Sequence, residues 1–267
     1  MDQLDASRFK MRDYLRFYWS AFYEACSAKQ LYRKIRDELT RLNVHEHVDG
    51  WHELVSYFVS ITKRELQFPT SELPYPSLES CYAEMAQLGY SVHIPLFLKA
   101  KKTRPDLLRE LAPRVRNFLF RLITVNMLSA GIADQKIRQA IKLLDEERPD
   151  SEVLAEFDYE LHGNDQSVFE NICQREFSEP TIAKYILAKI HLDQMGASHQ
   201  LGSDTELEHV LPQNPRAWPS FDCGPQTRDS FVYALGNLTL LEKKLNASVK
   251  DSPFDQKVSH YKQIGRA

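Results

Sequence analysis

Glu208-His209-Val210-Leu211-Pro212-Gln213 and, after a polar interval, Leu235-Gly236-Asn237-Leu238-Thr239-Leu240-Leu241 decide how this chain is read. Leu207, Val210 and Leu211 form a short apolar run of strand character. Pro212, which has no amide proton to give a ladder, brings that run to an end. Leu235 to Leu241 is a second such run, and Glu242 to Lys250, with its Ala, Leu and Lys content, favours helix. Strand, long loop, strand, helix is a ββα unit, expected over residues 204–267.

Upstream the grammar is different. From Phe9 to about Met195 apolar residues recur at helical spacing, as in Leu15, Phe17, Tyr18, Phe22 and Tyr23, or Phe118, Leu119, Leu122, Ile123 and Leu128. Pro69, Pro74, Pro76, Pro105, Pro113 and Pro149 punctuate this body. Phe177 to Thr181 reads as a cap with Pro180 at the first turn, opening a last amphipathic helix that ends near His191. Gly196 to Asp204, small and polar, reads as a linker. The expected fold is mainly α: a helical body over 1–203 followed by the small ββα domain over 204–267.

Composition bounds what such a chain does. With 267 residues and a hydrophobic share of 43%, it fills a real core. The 34 Lys plus Arg against 37 Asp plus Glu give a formal charge of -3, so no global positive field holds nucleic acid. Residues 204–267 carry eight acidic and eight basic side chains, which leaves the excess acid in the helical body. Target choice is therefore expected to come from a partner domain. Cys26, Cys81, Cys173 and Cys223 form no CxxC pair, which argues against a zinc knuckle and a disulfide framework and fits a reducing, cytoplasmic setting. No apolar run approaches the ~20 residues of a membrane span, and Met1 to Phe9 is charged and unlike an export signal.

The quoted motifs resemble the HNH, or His-Me finger, nucleases. There an acidic residue, His, two apolar residues and Pro lie on the first strand, Asn and Leu open the second, and a His or Asn nine residues later completes the site. Glu208-His209-Val210-Leu211-Pro212, Asn237 and Asn246 match in order and spacing. The pattern is similar to the HNH domain of RNA-guided CRISPR nucleases. It is more similar to the C-terminal half of GmrSD-like, modification-dependent restriction proteins and their phosphorothioate-sensing, SspE-like relatives. In those, Leu-Gly-Asn-Leu-Thr-Leu-Leu recurs with a later Phe-x-x-Lys, here Phe254 to Lys257. Arg12 to Trp19, Asn117 to Asn126 and Phe177 to His191 resemble the helical region preceding the nuclease there. Such proteins begin with a ParB-like, nucleotide-hydrolysing domain that this sequence lacks. The resemblance thus implies a C-terminal half or a short form, a partner NTPase domain, and DNA, including modified phage DNA, as substrate.

The chemistry this implies is hydrolysis of a phosphodiester. It needs a deprotonated water, a cation beside the phosphate, and stabilisation of the departing oxygen. His209, with an ordinary pKa near 6.5, suits the base. Glu208 and the Asn246 amide oxygen are hard ligands for Mg²⁺ or Mn²⁺. By resemblance Asn237 braces the loop between the strands, and Lys250 or Lys257 contacts phosphate. Adjacent strand residues point to opposite faces, so Glu208 and His209 serve one site only if the strand ends or twists there.

Other readings stand beside this one. The same residues fit a non-catalytic helical module whose degenerate motif only binds DNA or protein, and the chemistry would serve RNA, although no RNA-binding signature is present. His45, Glu46, His47 and His52 match no metal spacing. The aromatic series Tyr14 to Tyr23 reads as core or as a face for another domain, with base stacking as the alternative, and the basic residues between Lys99 and Arg121 as a solvated face with DNA contact as the alternative. Cys223 has no nucleophile context.

Overall fold

The computed structural model describes residues 9–39, 44–63, 77–158, 165–195, 204–214 and 225–264. Cys223 and the Pro69 to Pro76 punctuation lie outside them. The chain divides into two compact units, with the boundary between residues 164 and 165.

The first unit is all helix: α1 (Met11–Phe22), α2 (Ala28–Leu39), α3 (Val44–Thr62), α4 (Leu78–Gln87), α5 (Ile94–Thr103), α6 (Leu108–Leu119), α7 (Ala130–Asp145) and α8 (Asp150–Ala155). Ile94-Pro95-Leu96-Phe97-Leu98 has no polar side, so α5 is central, packed by α1, α3 and α7. Ile94, Leu96, Phe97, Leu98 and Ala100 are fully buried. Lys99, the buried cation of this helix, pairs with Asp145 and lies over the Phe22 ring. Downstream, α6 runs into a π-helical turn, Phe120–Val125.

Tyr14, Phe17, Tyr18 and Trp19 are buried core residues, as their spacing predicts. The basic residues between Lys99 and Arg116 are largely neutralised in place. Lys102 pairs with Glu53, Arg104 with Asp150, Arg114 with Asp158 and Arg116 with buried Glu84, while Lys101 sits over Tyr57. His47 is buried against Tyr23, and no cluster of His, Cys, Asp or Glu among the described residues can hold a metal ion.

The second unit holds α9 (Asp165–Gln174), α10 (Pro180–Met195), β1 (Thr205–His209), α11 (Pro225–Val232), β2 (Leu238–Glu242), α12 (Lys243–Val249) and α13 (Phe254–Ile264). The two compact units divide ahead of α9, at 164/165, whereas the sequence reading places a boundary at 203/204. Helix α10 packs on both strands, Lys184 Nζ donates to the Thr205 carbonyl at 3.2 Å, and Phe177 N donates to the Tyr233 carbonyl at 2.7 Å. Its apolar side, with Ala183, Tyr185, Ile186 and Leu192 buried, thus belongs with the hairpin. Strands β1 and β2 pair antiparallel, Thr205 opposite Glu242 and His209 opposite Leu238. The strands are shorter than the apolar runs predict: β1 stops at His209, and Leu235–Asn237 is a 3₁₀ turn. Helix α11 was not expected. No helix among the described residues is long and apolar enough to cross a membrane.

Candidate active site

The hairpin fixes which way each side chain leaves β1. Glu206 and Glu208 occupy one face, and Leu207 and His209 the other. The partners agree with that alternation. On the first face, Asn246 Nδ2 from α12 donates to Glu206 Oε2 at 3.1 Å. Beside it Glu208, 5% exposed, accepts through Oε1 from Lys257 Nζ at 2.6 Å and from the Tyr261 hydroxyl at 3.0 Å, both on α13. Lys257 is fully buried and also donates to the His209 carbonyl at 2.8 Å. The Tyr261 hydroxyl pKa is pushed up, first by burial and then by the Glu208 charge it donates to.

On the other face His209 is half-buried. Its ring meets the Tyr233 ring edge-on at 5.9 Å, and Nε2 lies 3.3 Å from the Gln213 side-chain nitrogen. Burial holds the imidazole pKa below its ordinary value; the Lys257 charge adds to this and the Glu208 charge opposes it. A neutral imidazole at neutral pH is the form a general base needs.

The chain reverses immediately after His209, and the reversal is clamped. Val210 N donates to the Asn237 carbonyl at 2.9 Å. The Asn237 side chain accepts from Leu211 N at 2.6 Å and donates to the carbonyls of Leu211 at 3.1 Å and Val232 at 3.0 Å. One amide thus ties the start of β2 to the turn that follows β1. Arg228 of α11, buried, adds a second tie by donating to the carbonyls of Pro212 at 2.7 Å and Asn214 at 3.2 Å.

The oxygens left to a cation follow from this bonding. Among the described residues both hydrogen-bond partners of Glu208 fall on Oε1. Because a carboxylate only accepts, Glu206 turns the nitrogen of the Asn246 amide toward itself and leaves Oδ1 available. The Glu208 carboxylate and Asn246 Oδ1 both present hard oxygens of the kind that Mg²⁺ or Mn²⁺ takes as ligands. Lys257 opposes such binding by offsetting the Glu208 charge. Lys250 is exposed at the end of α12 with φ 41°, in the left-handed region.

Residues 163–266 are similar to the C-terminal domain of the GmrSD restriction endonucleases. The match spans the second unit almost end to end, α9 and α10 included, and supports a boundary ahead of α9. No curated protein and no solved structure matches the chain.

In this GmrSD-like domain the structure brings Glu208, Asn237 and His209 to the end of the hairpin, and Asn246 beside Glu206. It does not give Lys257 to the surface. A buried lysine bonded to a carboxylate and a carbonyl has no free donor face for phosphate, whereas Lys250 is exposed. Glu206, Tyr261 and Arg228 were missed. Glu206 carried a signal, since it stands two residues before Glu208 and shares its face; Tyr261 and Arg228 are placed by tertiary packing and had none.

Proposed function

We propose that the second unit is an HNH-type, metal-dependent endonuclease cutting phosphodiester bonds of DNA in restriction of phage, with targeting supplied by an N-terminal, ParB-like NTPase domain or a partner. The observation that carries this reading is the match of residues 163–266 to a restriction-endonuclease domain, together with the ending of β1 of this chain on Glu208-His209. His209, neutral and at the strand end, takes the proton of the attacking water. Glu208 and Asn246 would hold Mg²⁺ or Mn²⁺, which offsets charge on the phosphate. Asn237 keeps the His209 turn rigid, and Lys250 contacts the phosphate backbone. A cytoplasmic setting accords with the free cysteines Cys26, Cys81 and Cys173.

The test is nicking of supercoiled plasmid by the whole chain in Mg²⁺ or Mn²⁺, beside a competing RNA, for the native chain and for Glu208→Gln and Asn246→Ala. Metal-dependent nicking of DNA that both substitutions reduce about a hundredfold or more supports the reading. A mobility shift of DNA without nicking in any metal identifies a binding module instead.

A further inference from the structure

The first unit lies almost entirely outside the matched residues and carries a site of its own. Helix α1, residues 25–30, residues 91–95 and helix α7 border a partly open cavity of about 570 Å³, the size of a small-molecule pocket, within this unit. Arg16, Ser91 and Arg138 line it with Phe17, Ile137 and Ile141. The charges are unequal in their commitments. Arg138 is paired with Asp134 at 2.7 Å. Arg16 has no carboxylate partner among the described residues; its Nε is buried without a hydrogen bond, and its guanidinium rests over the Phe17 ring at 4.8 Å. The Ser91 hydroxyl also has no partner among them. Lined by two guanidinium groups and one carboxylate, the cavity is locally positive in a chain of net charge -3. A half-buried arginine left unpaired is costly unless an anion completes it, and the planar fork matches phosphate oxygens in pairs.

We propose that this cavity binds a phosphate-bearing small molecule of nucleotide size, its phosphate on Arg16 and its body against Phe17, Ile137 and Ile141. The volume exceeds what a bare phosphate fills, and the apolar wall gives a ring or chain somewhere to go.

The experiment measures binding of adenosine monophosphate, inorganic phosphate and adenosine to the whole chain by calorimetry, with melting of each variant as a fold check. Two substitutions attack the cavity differently. Arg16→Gln removes the cation and leaves the backbone bonds of α1 alone. Gly131→Phe fills the space: a Cβ there meets only Ser129 Oγ at 3.5 Å, and replacing glycine favours the helix. The expected result is that the monophosphate binds at least about tenfold tighter than phosphate or adenosine alone, and that each substitution weakens it by about tenfold or more. His209→Ala leaves this binding unchanged, which separates it from the nuclease reading. Absence of monophosphate binding at millimolar concentration, or equal binding by both variants and the native chain, overturns the proposal. Inorganic phosphate binding as tightly as the monophosphate overturns the nucleotide size.

Discussion

The two units bury different kinds of side chain. Among the largest fully buried side chains of the described residues, Tyr14, Phe58, Phe97, Phe118 and their apolar companions all belong to the first unit, and the one from the second is Lys257. The first unit is held by close packing of apolar volume spread over many residues. In the second, a buried charge sits in the interior, and its partner is the carboxylate of Glu208. Fold integrity and the candidate site therefore share residues in the second unit. A buried charge pair is costly to break from either end even where its net contribution is small.

That contrast is broken or sharpened most strongly at Lys257. Lys257→Met leaves Glu208 buried and unpaired, so the second unit should lose about 3–5 kcal/mol, read from hydrogen exchange of amides in β1 and α12. Phe97→Ala should cost the first unit a similar ~3–5 kcal/mol through the cavity it leaves. The distinction between them is rescue: Glu208→Leu added to Lys257→Met restores much of the loss, since no charge then remains unpaired. Unchanged protection in Lys257→Met would mean the ion pair is not part of the core. Next in size, Asn237→Ala deletes three hydrogen bonds of the clamp and should cost about 1–3 kcal/mol. Exchange at Val210 and Leu211 should accelerate with it, while amides of α5 stay as they were.

Smaller effects probe the site alone. Glu206→Ala frees the Asn246 amide to rotate and should weaken Mn²⁺ binding by about tenfold, followed by paramagnetic resonance of the ion. An unchanged affinity would separate Glu206 from the metal. The last is a pH profile. The His209 pKa lies below its ordinary value, and the base works only when neutral, so cleavage should persist on acidification past about 6.5 and fall only at lower pH. A fall centred above 6.5 would contradict the burial of that ring.

How much of this was legible in the sequence differs between the units for the same physical reason. The hairpin was readable because two short apolar runs and Pro212 are local patterns with local consequences, while the Asn237 clamp was implied by the family resemblance. The helical body was readable from periodicity, though not which helix lies at its centre. The unit boundary was not, because α9 and α10 join the hairpin through pairs such as Phe177 with Tyr233, which no local pattern encodes. Lys257 was misread for a related reason. A lysine is almost always exposed, and only tertiary placement over Glu208 explains its burial. Helix α11 is short, and its role rests on one arginine reaching two carbonyls.

The central claim is that the end of β1 does chemistry, and His209→Ala tests it most directly because the side chain is half-buried and makes no hydrogen bond on which the hairpin depends. Nicking and melting are to be measured on the same preparations. The account predicts loss of metal-dependent cleavage by about a hundredfold or more with the melting temperature kept. Cleavage at the native rate by the folded variant would contradict it.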